Sequence, residues 1–174
     1  MVVADRPRPR TGPGSFAGMT SLSGRAVNFM SKHLPGLGRR GTRRQVDQFR
    51  ASNGEKGNTL FGKPVFLLDV VGRTSGEPRP VMLMLVRRGD DLLVTGSNGG
   101  NPETPNWYKN LRAAAEAQVQ VGADRWTVTV RELGEGDERA ECWDLLVEAY
   151  PDFASYQALT DRRLPVAVLE RAPG

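Results

Sequence analysis

Between Gly72 and Leu111 the chain gathers three kinds of chemistry that no other segment combines. A Gly-rich basic turn, Gly72-Arg-Thr-Ser-Gly-Glu-Pro-Arg79, is followed by a second glycine turn, Gly96-Ser-Asn-Gly-Gly100, and then by Thr104-Pro-Asn-Trp-Tyr-Lys-Asn-Leu111. Glycine lets backbone N–H groups approach a ligand closely, and arginine offers forked donors to phosphate or carboxylate. Trp107 and Tyr108 add flat surface beside them. The combination suits a flat, anionic ligand of the cofactor type. Further along, Tyr150, Phe153 and Tyr156 recur at i, i+3 and i+6, a spacing that predicts one side of a short helix and that core packing alone would explain.

The remaining composition narrows the chemistry. Cys142 is the only cysteine, so no internal disulfide and no cysteine cluster for metal can form, and its simplest role is a small buried apolar side chain. The single histidine, His33, has no second histidine to join it, which argues against His-rich metal sites and His-based triads. No G-x-x-x-x-G-K-[ST] occurs, so P-loop binding lacks local support. The longest apolar run, Val81–Val86, is far short of the roughly 18 residues that suggest a membrane span, and no apolar signal region follows the N-terminal arginines. A cytoplasmic protein is the expectation.

Charge is unevenly divided. Residues 1–50 hold ten basic and two acidic side chains, net +8, which leaves residues 51–174 with 14 basic and 18 acidic, net −4. A body of net −4 makes a poor general nucleic-acid binder, since phosphate neutralisation dominates non-specific affinity. Any nucleic-acid binding would have to run through the N-terminal arm and be strongly salt-dependent.

These groups need a scaffold. Residues 1–16 combine Pro, Gly and charge with little to bury and are expected to be a disordered basic tail. Residues 17–51 read as an amphipathic helical arm: Met19, Leu22, Ala26, Phe29 and Met30 share a helical face that ends at Pro35-Gly36, and a second short helix follows at Arg43–Ala51. Such an arm would pack on its own domain, bridge a dimer, or lie on an anionic membrane surface. Residues 52–174 read as the barrel domain. Its strands are predicted at Pro64–Val71, Pro80–Arg87, Asp91–Thr95, Ala117–Val121, Arg125–Glu132 and Leu164–Leu169, and its helices at Pro105–Ala115, Asp137–Glu148 and Asp152–Leu159. The first two strands form a hairpin across the Arg73–Pro78 loop, and Thr104 is the expected N-cap before Pro105. Several short antiparallel strands with few helices favour a small barrel, a mainly β fold with flanking helices.

Seven ordered blocks from about Phe49 to Leu169 resemble the deazaflavin-dependent nitroreductase and quinone reductase family of actinobacteria. They are Gly62-Lys-Pro-Val65, Val71-Gly-Arg-Thr-Ser-Gly76 with Arg79, Ser97-Asn-Gly-Gly100, Asn106-Trp-Tyr-Lys-Asn-Leu111, Ala117-Gln-Val-Gln-Val121, Tyr150-Pro-Asp-Phe-Ala-Ser-Tyr-Gln157 and Thr160-Asp-Arg-Arg-Leu-Pro-Val166. The resemblance implies a split β-barrel of the FMN-binding, flavin-reductase type that binds coenzyme F420, whose hydride-carrying tricycle bears a tail of phosphate, lactate and glutamates. The acceptor would be a quinone, menaquinone among them, or another electron-poor conjugated or nitro compound.

Carried over residue by residue, Arg73 and Arg79 would meet the anionic tail, with Thr74, Ser75 and Gly76 as donors. Gly96, Ser97, Asn98, Gly99 and Gly100 would approach the tail and ring edge, and Asn106, Trp107 and Tyr108 would wall the site at a helix N-terminus favourable to anions. Trp107 would serve equally as a core ring. Tyr150, Phe153 and Tyr156 would form a lid over the ring, Tyr150 or Tyr156 donating a hydrogen bond or proton, and Met84 would add soft apolar surface. Two positions depart from the family pattern: Asn98 stands where relatives often carry Lys, and Phe153 where they often carry Tyr, which puts nitroreduction in question. An FMN enzyme on the same barrel, or a deazaflavin carrier or sensor without turnover, are the rival readings. Split barrels of this type are often homodimers, and no sequence feature decides the assembly.

Overall fold

The computed structural model describes residues 35–173, with side chains from Thr42 onward. Expectations for residues 1–34 lie outside the described residues. Eight strands form one antiparallel sheet that curls into a half-barrel, flanked by four helices.

Helix α1 (Pro35–Ala51) is longer than the second predicted helix, starting at Pro35 where the sequence reading started it at Arg43. A proline in the first helical turn costs nothing there, since its missing N–H would have no partner. The helix is fastened by its last turns, where Val46 and Phe49 are buried against Val65, Leu67 and Met82. Each such apolar burial contributes about 1.5–3 kcal/mol.

Strands β1 (Thr59–Leu60) and β2 (Lys63–Val71) are followed by β3 (Pro78–Met84), β4 (Arg87–Arg88) and β5 (Asp91–Thr95). The predicted β2–β3 hairpin forms, closing with Val71 opposite Pro78. Strand β3 starts and ends earlier than its apolar run suggested, because Leu85 N–H turns to the Pro64 carbonyl and the chain leaves for β4. Helix α2 (Asn106–Ala114) leads to β6 (Glu116–Val121) and β7 (Asp124–Glu132), then α3 (Asp137–Ala149), α4 (Asp152–Ala158) and β8 (Val166–Arg171). The strand order is β1-β2-β6-β7-β8-β5-β4, with β3 on the free edge of β2.

Side chains of a strand alternate between its faces, and both faces here are covered, which explains the near-continuous apolar runs. Phe66, Leu68 and Val70 of β2 join Leu92, Val94, Ala167 and Leu169 around Tyr108 and Leu111 of α2. Their neighbours Val65 and Leu67 face α1. Leu93, Val166 and Val168 face α3 and α4, where they meet Cys142, Leu146, Tyr150, Phe153 and Tyr156. Cys142 is thus the buried apolar residue expected, its Sγ accepting from Arg88 Nη1 at 3.2 Å.

Helix α3 is pinned by charge at its N-terminus. Arg131 grips Glu138 through Nη1 and Nη2 at 2.9 and 2.8 Å, Arg88 adds a third contact at 2.9 Å, and Arg131 Nε reaches Glu170 at 2.6 Å. The arginines hold the Glu138 carboxyl down at about 2, and its charge also favours the helix N-terminus. This fastening fixes the helix whose other end delivers Tyr150.

Candidate functional site

Strands β3 and β5 share no hydrogen bonds, and between them lies a cavity of about 360 Å³, within the range of small-molecule sites. One wall is apolar strand, Val81–Met84 of β3 and Leu93–Thr95 of β5. The opposite wall is aromatic. Tyr150, Phe153 and Tyr156 form a triangle of rings with centroids 5.0, 6.3 and 6.3 Å apart. They do not share a helix as their spacing predicted: Tyr150 ends α3, Pro151 turns the chain, and Phe153 and Tyr156 belong to α4. The Tyr150 and Tyr156 hydroxyls stand 3.4 Å apart. Burial pushes both phenols above their ordinary pKa, and for Tyr150 the hydrogen bond with Tyr156 adds to it. Both therefore remain protonated at neutral pH.

The third side is the glycine turn. Ser97 is right-handed helical, and Asn98 and Gly99 are left-handed with φ of 50° and 61°. That alternation makes successive N–H groups converge into an anion-binding concavity. Among the described residues the N–H groups of Ser97, Asn98 and Gly99 have no acceptor, and all three residues line the cavity. The carbonyls are turned away. Arg162 Nη2 donates to Gly96 O at 3.0 Å and Ser97 O at 2.8 Å, and its Nε to Asn101 O at 2.8 Å. Asn98 spends its own amide on the Glu103 carbonyl at 2.9 Å, tying the loop together.

Trp107 completes the lining with Pro105, at the start of α2. Thr104 is not the N-cap. Pro105 occupies that position in an extended conformation, and its carbonyl accepts from the Tyr108 and Lys109 N–H groups. Tyr108 turns inward, fully buried in the core with its ring against Gly96, so it supports the site from behind instead of walling it. Gly96 likewise serves packing, since a Cβ there would stand 3.0 Å from Tyr108 and Pro165. Gly100 lets the turn seat against Tyr156 O, which a Cβ would approach to 2.7 Å.

The basic turn lies beside the cavity, not in its lining. Arg73 Nη1 donates to Asn110 Oδ1 at 2.7 Å and Nη2 to Asn106 Oδ1 at 3.2 Å, docking the hairpin on the first turns of α2. Arg79 Nη2 reaches Ser75 Oγ at 3.1 Å, and the turn closes tightly enough that a Cβ on Gly72 would meet Ser75 Oγ at 2.7 Å. Neither arginine has a carboxylate partner among the described residues, so both charges face solvent uncompensated. Thr74 and Gly76 are exposed on the same turn.

The cavity thus unites Met84, Ser97, Asn98, Gly99, Trp107, Tyr150, Phe153 and Tyr156 from the sequence reading. It adds Leu60, Phe61, Val81, Thr95 and Leu146, which sequence reasoning missed. Thr95 Oγ1 is buried there without a hydrogen-bond partner. Among the described residues no cluster of His, Cys, Asp or Glu is arranged to hold a metal ion.

A curled half-barrel with an aromatic-walled cavity in its seam and free N–H donors at one end defines a split-barrel reductase of the flavin and deazaflavin type. The chain belongs to the F420H(2)-dependent quinone reductase family, whose model matches residues 41–171. It is 35% identical over 126 residues to an F420H(2)-dependent quinone reductase of Mycobacterium tuberculosis, covering 71% of this chain and 85% of the relative. A solved structure described as an F420-H2 dependent reductase is 42% identical, with a TM-score of 0.58 over 62% of this chain and 94% of its own. Another, described as a domain-swapped dimer, is 38% identical, with a TM-score of 0.60 over 74% of this chain and 96% of its own. The protein is accordingly an oxidoreductase, and its cofactor is coenzyme F420 rather than FMN. The residues present fit that group: a flat apolar slot for a tricycle, an orphaned Thr95 hydroxyl, unpaired N–H groups, and two uncompensated arginines for an anionic tail.

Proposed function

We propose that this protein reduces a quinone in the cavity between β3 and β5, with Arg73, Arg79 and the N–H groups of Ser97, Asn98 and Gly99 binding the cofactor's anionic tail and polar edge. Bound there, the reduced coenzyme supplies the hydride. The protein's residues bind, orient and protonate. Val81–Met84 and Trp107 confine flat rings and exclude water. Two-electron reduction of a quinone to a quinol requires a proton for each hydride, and the paired hydroxyls of Tyr150 and Tyr156, two residues that line the cavity, hold one.

The observation that carries this reading is the pairing of two protonated phenols on one wall with unpaired N–H donors on the other. Quinones are favoured over nitro compounds because Phe153 lacks a hydroxyl. The arm, net +8 over residues 1–50, suits peripheral attachment to an anionic membrane, where a lipophilic quinone resides. A homodimer is the expected assembly, in keeping with the dimeric relative.

The test is titration with oxidised coenzyme F420 and, separately, FMN, followed by assay of a water-soluble quinone with the reduced coenzyme. Selective deazaflavin binding with quinone turnover supports the reading. Tight binding without reduction of any quinone would make the protein a carrier and overturn it.

A further inference from the structure

Arg162 is remote in sequence from the glycine turn, and nothing in its type or spacing marks it as part of the site. Its guanidinium nevertheless takes three carbonyls of that turn, those of Gly96, Ser97 and Asn101. Few side chains could do this. A planar fork with donors in fixed directions reaches several acceptors at once, which a lysine ammonium on a flexible stem does not. The peptide geometry makes the consequence direct: in a planar trans peptide the carbonyl and the next N–H point in opposite directions, so fixing the carbonyl on one side aims the N–H at the other. With the Gly96 and Ser97 carbonyls held by Arg162, the N–H groups of Ser97 and Asn98 are driven toward the cavity. Asn98 and Gly99, both left-handed, carry the third N–H round to join them.

The same residue joins the turn to the aromatic wall. Gln157 of α4 donates from Nε2 to the Arg162 carbonyl at 3.0 Å, while its Oε1 accepts from Leu164 N–H at 2.9 Å. Gln157 follows Tyr156 directly. One side chain and its backbone thus fix both the donor turn and the helix that carries the phenol. Arg162 has no carboxylate partner among the described residues, its acceptors are all carbonyls, and its Nη1 is buried without a partner.

Resting on the function proposed above, we propose that Arg162 is a positioning residue that orients the Ser97–Gly99 N–H groups toward the cofactor and holds that turn in register with the tyrosine wall. It touches neither cofactor nor acceptor in this role. Its effect is carried through the turn, and its loss appears first in affinity for the deazaflavin.

The experiment compares wild type with Arg162→Lys and Arg162→Ala, using Val128→Ala, a core change away from the cavity, as a control for general loss of stability. Hydrogen exchange of the Gly96, Gly100 and Asn101 N–H groups, which are hydrogen-bonded in and beside the turn, is measured in the ligand-free proteins, and binding of oxidised coenzyme F420 by fluorescence. The expected result is faster exchange confined to the turn and affinity lower by about tenfold or more in both Arg162 variants. Methylguanidinium should restore binding to Arg162→Ala, and ammonium should not. Val128→Ala should lose thermal stability with little loss of affinity.

Wild-type affinity in a folded Arg162→Lys or Arg162→Ala protein would overturn the proposal. So would exchange that rises evenly across the barrel, or a loss of affinity matched by Val128→Ala at equal loss of thermal stability. If wild type itself ignores the deazaflavin, the functional reading falls, and turn-confined exchange in the variants still supports the positioning of the N–H groups.

Discussion

Replacing Arg73 with alanine separates binding from folding. The guanidinium is exposed and donates only to the side-chain oxygens of Asn106 and Asn110, both neutral, so its charge is free to meet an anion. A hydrogen bond to a charged group contributes about 1.5–3 kcal/mol. Arg73 stands in water, where screening favours the low end, so the expected loss is about 1.5 kcal/mol, or roughly tenfold in Kd. The fold should survive. Asn110 is buried, but its Oδ1 also accepts the Arg73 backbone N–H at 3.3 Å, a bond alanine retains. Losing the two side-chain bonds to Asn106 and Asn110 costs about 1 kcal/mol, or about 2–4 °C in Tm for a chain of this size. The assay is fluorescence titration with oxidised coenzyme at low salt and at about 1 M, where a Debye length of about 3 Å should shrink the difference. Equal Kd for the two proteins at low salt would refute the assignment of Arg73 to the anionic tail.

Three further outcomes follow from the same geometry. Tyr156→Phe, alone or with Tyr150→Phe, should slow quinone reduction at least about tenfold while leaving coenzyme Kd unchanged, with the wild-type rate flat through neutral pH and falling only above about 10; undiminished turnover in the double variant would assign the proton to water. Glu138 has a folded pKa depressed to about 2, so its contribution to stability is present above the ordinary carboxylate range and is lost as pH falls from about 4.3 toward 2. Glu138→Gln should therefore flatten the acid limb of a Tm-against-pH profile, and parallel profiles would count against the Arg88–Glu138–Arg131 clamp. Deleting residues 1–34 should abolish binding to anionic liposomes and leave reduction of a water-soluble quinone intact; retained liposome binding would remove the arm from membrane attachment.

Much of the scaffold was legible because its signals are local. Period-two alternation in Arg125–Glu132 and apolar runs bounded by glycine turns depend on neighbours in sequence, and the strands follow them. What escaped depended on distant partners. Residues 35–42 gave no helix signal of their own, yet they extend the helix that Val46 and Phe49 dock on the sheet. Tyr150, Phe153 and Tyr156 look like one helical face, yet Pro151 divides them, and only packing against β5 and β8 restores the cluster. Tyr108 and Trp107 are adjacent and chemically alike, and the helix sends one ring into the core and the other to the cavity. Arg162 lay in a block that carried the resemblance, but nothing tied it to the glycine turn, because the acceptors it holds are backbone carbonyls more than sixty residues away.

The position of the site follows from where the sheet fails to close. Strand β3 pairs with β2 along one edge, and among the described residues its other edge finds no strand. Pro78 and Pro80 suit such an edge, since a proline cannot donate to a neighbour and is excluded from central strands. Closing the seam between β3 and β5 by hydrogen bonds would bury Val81–Met84 against protein and leave no slot. Keeping it open leaves apolar side chains, an unpaired threonine hydroxyl and three unpaired N–H groups around one cavity, each carrying a cost that burial of a suitable ligand relieves. The rest of the fold then acts to stop collapse of the seam: α1 braces β3 through Met82, the Glu138 clamp fixes α3, and Arg162 holds the Gly96, Ser97 and Asn101 carbonyls of the glycine turn. Binding is therefore expected to raise Tm more than its contact area alone suggests, because the ligand completes a sheet interior that the chain leaves unfilled.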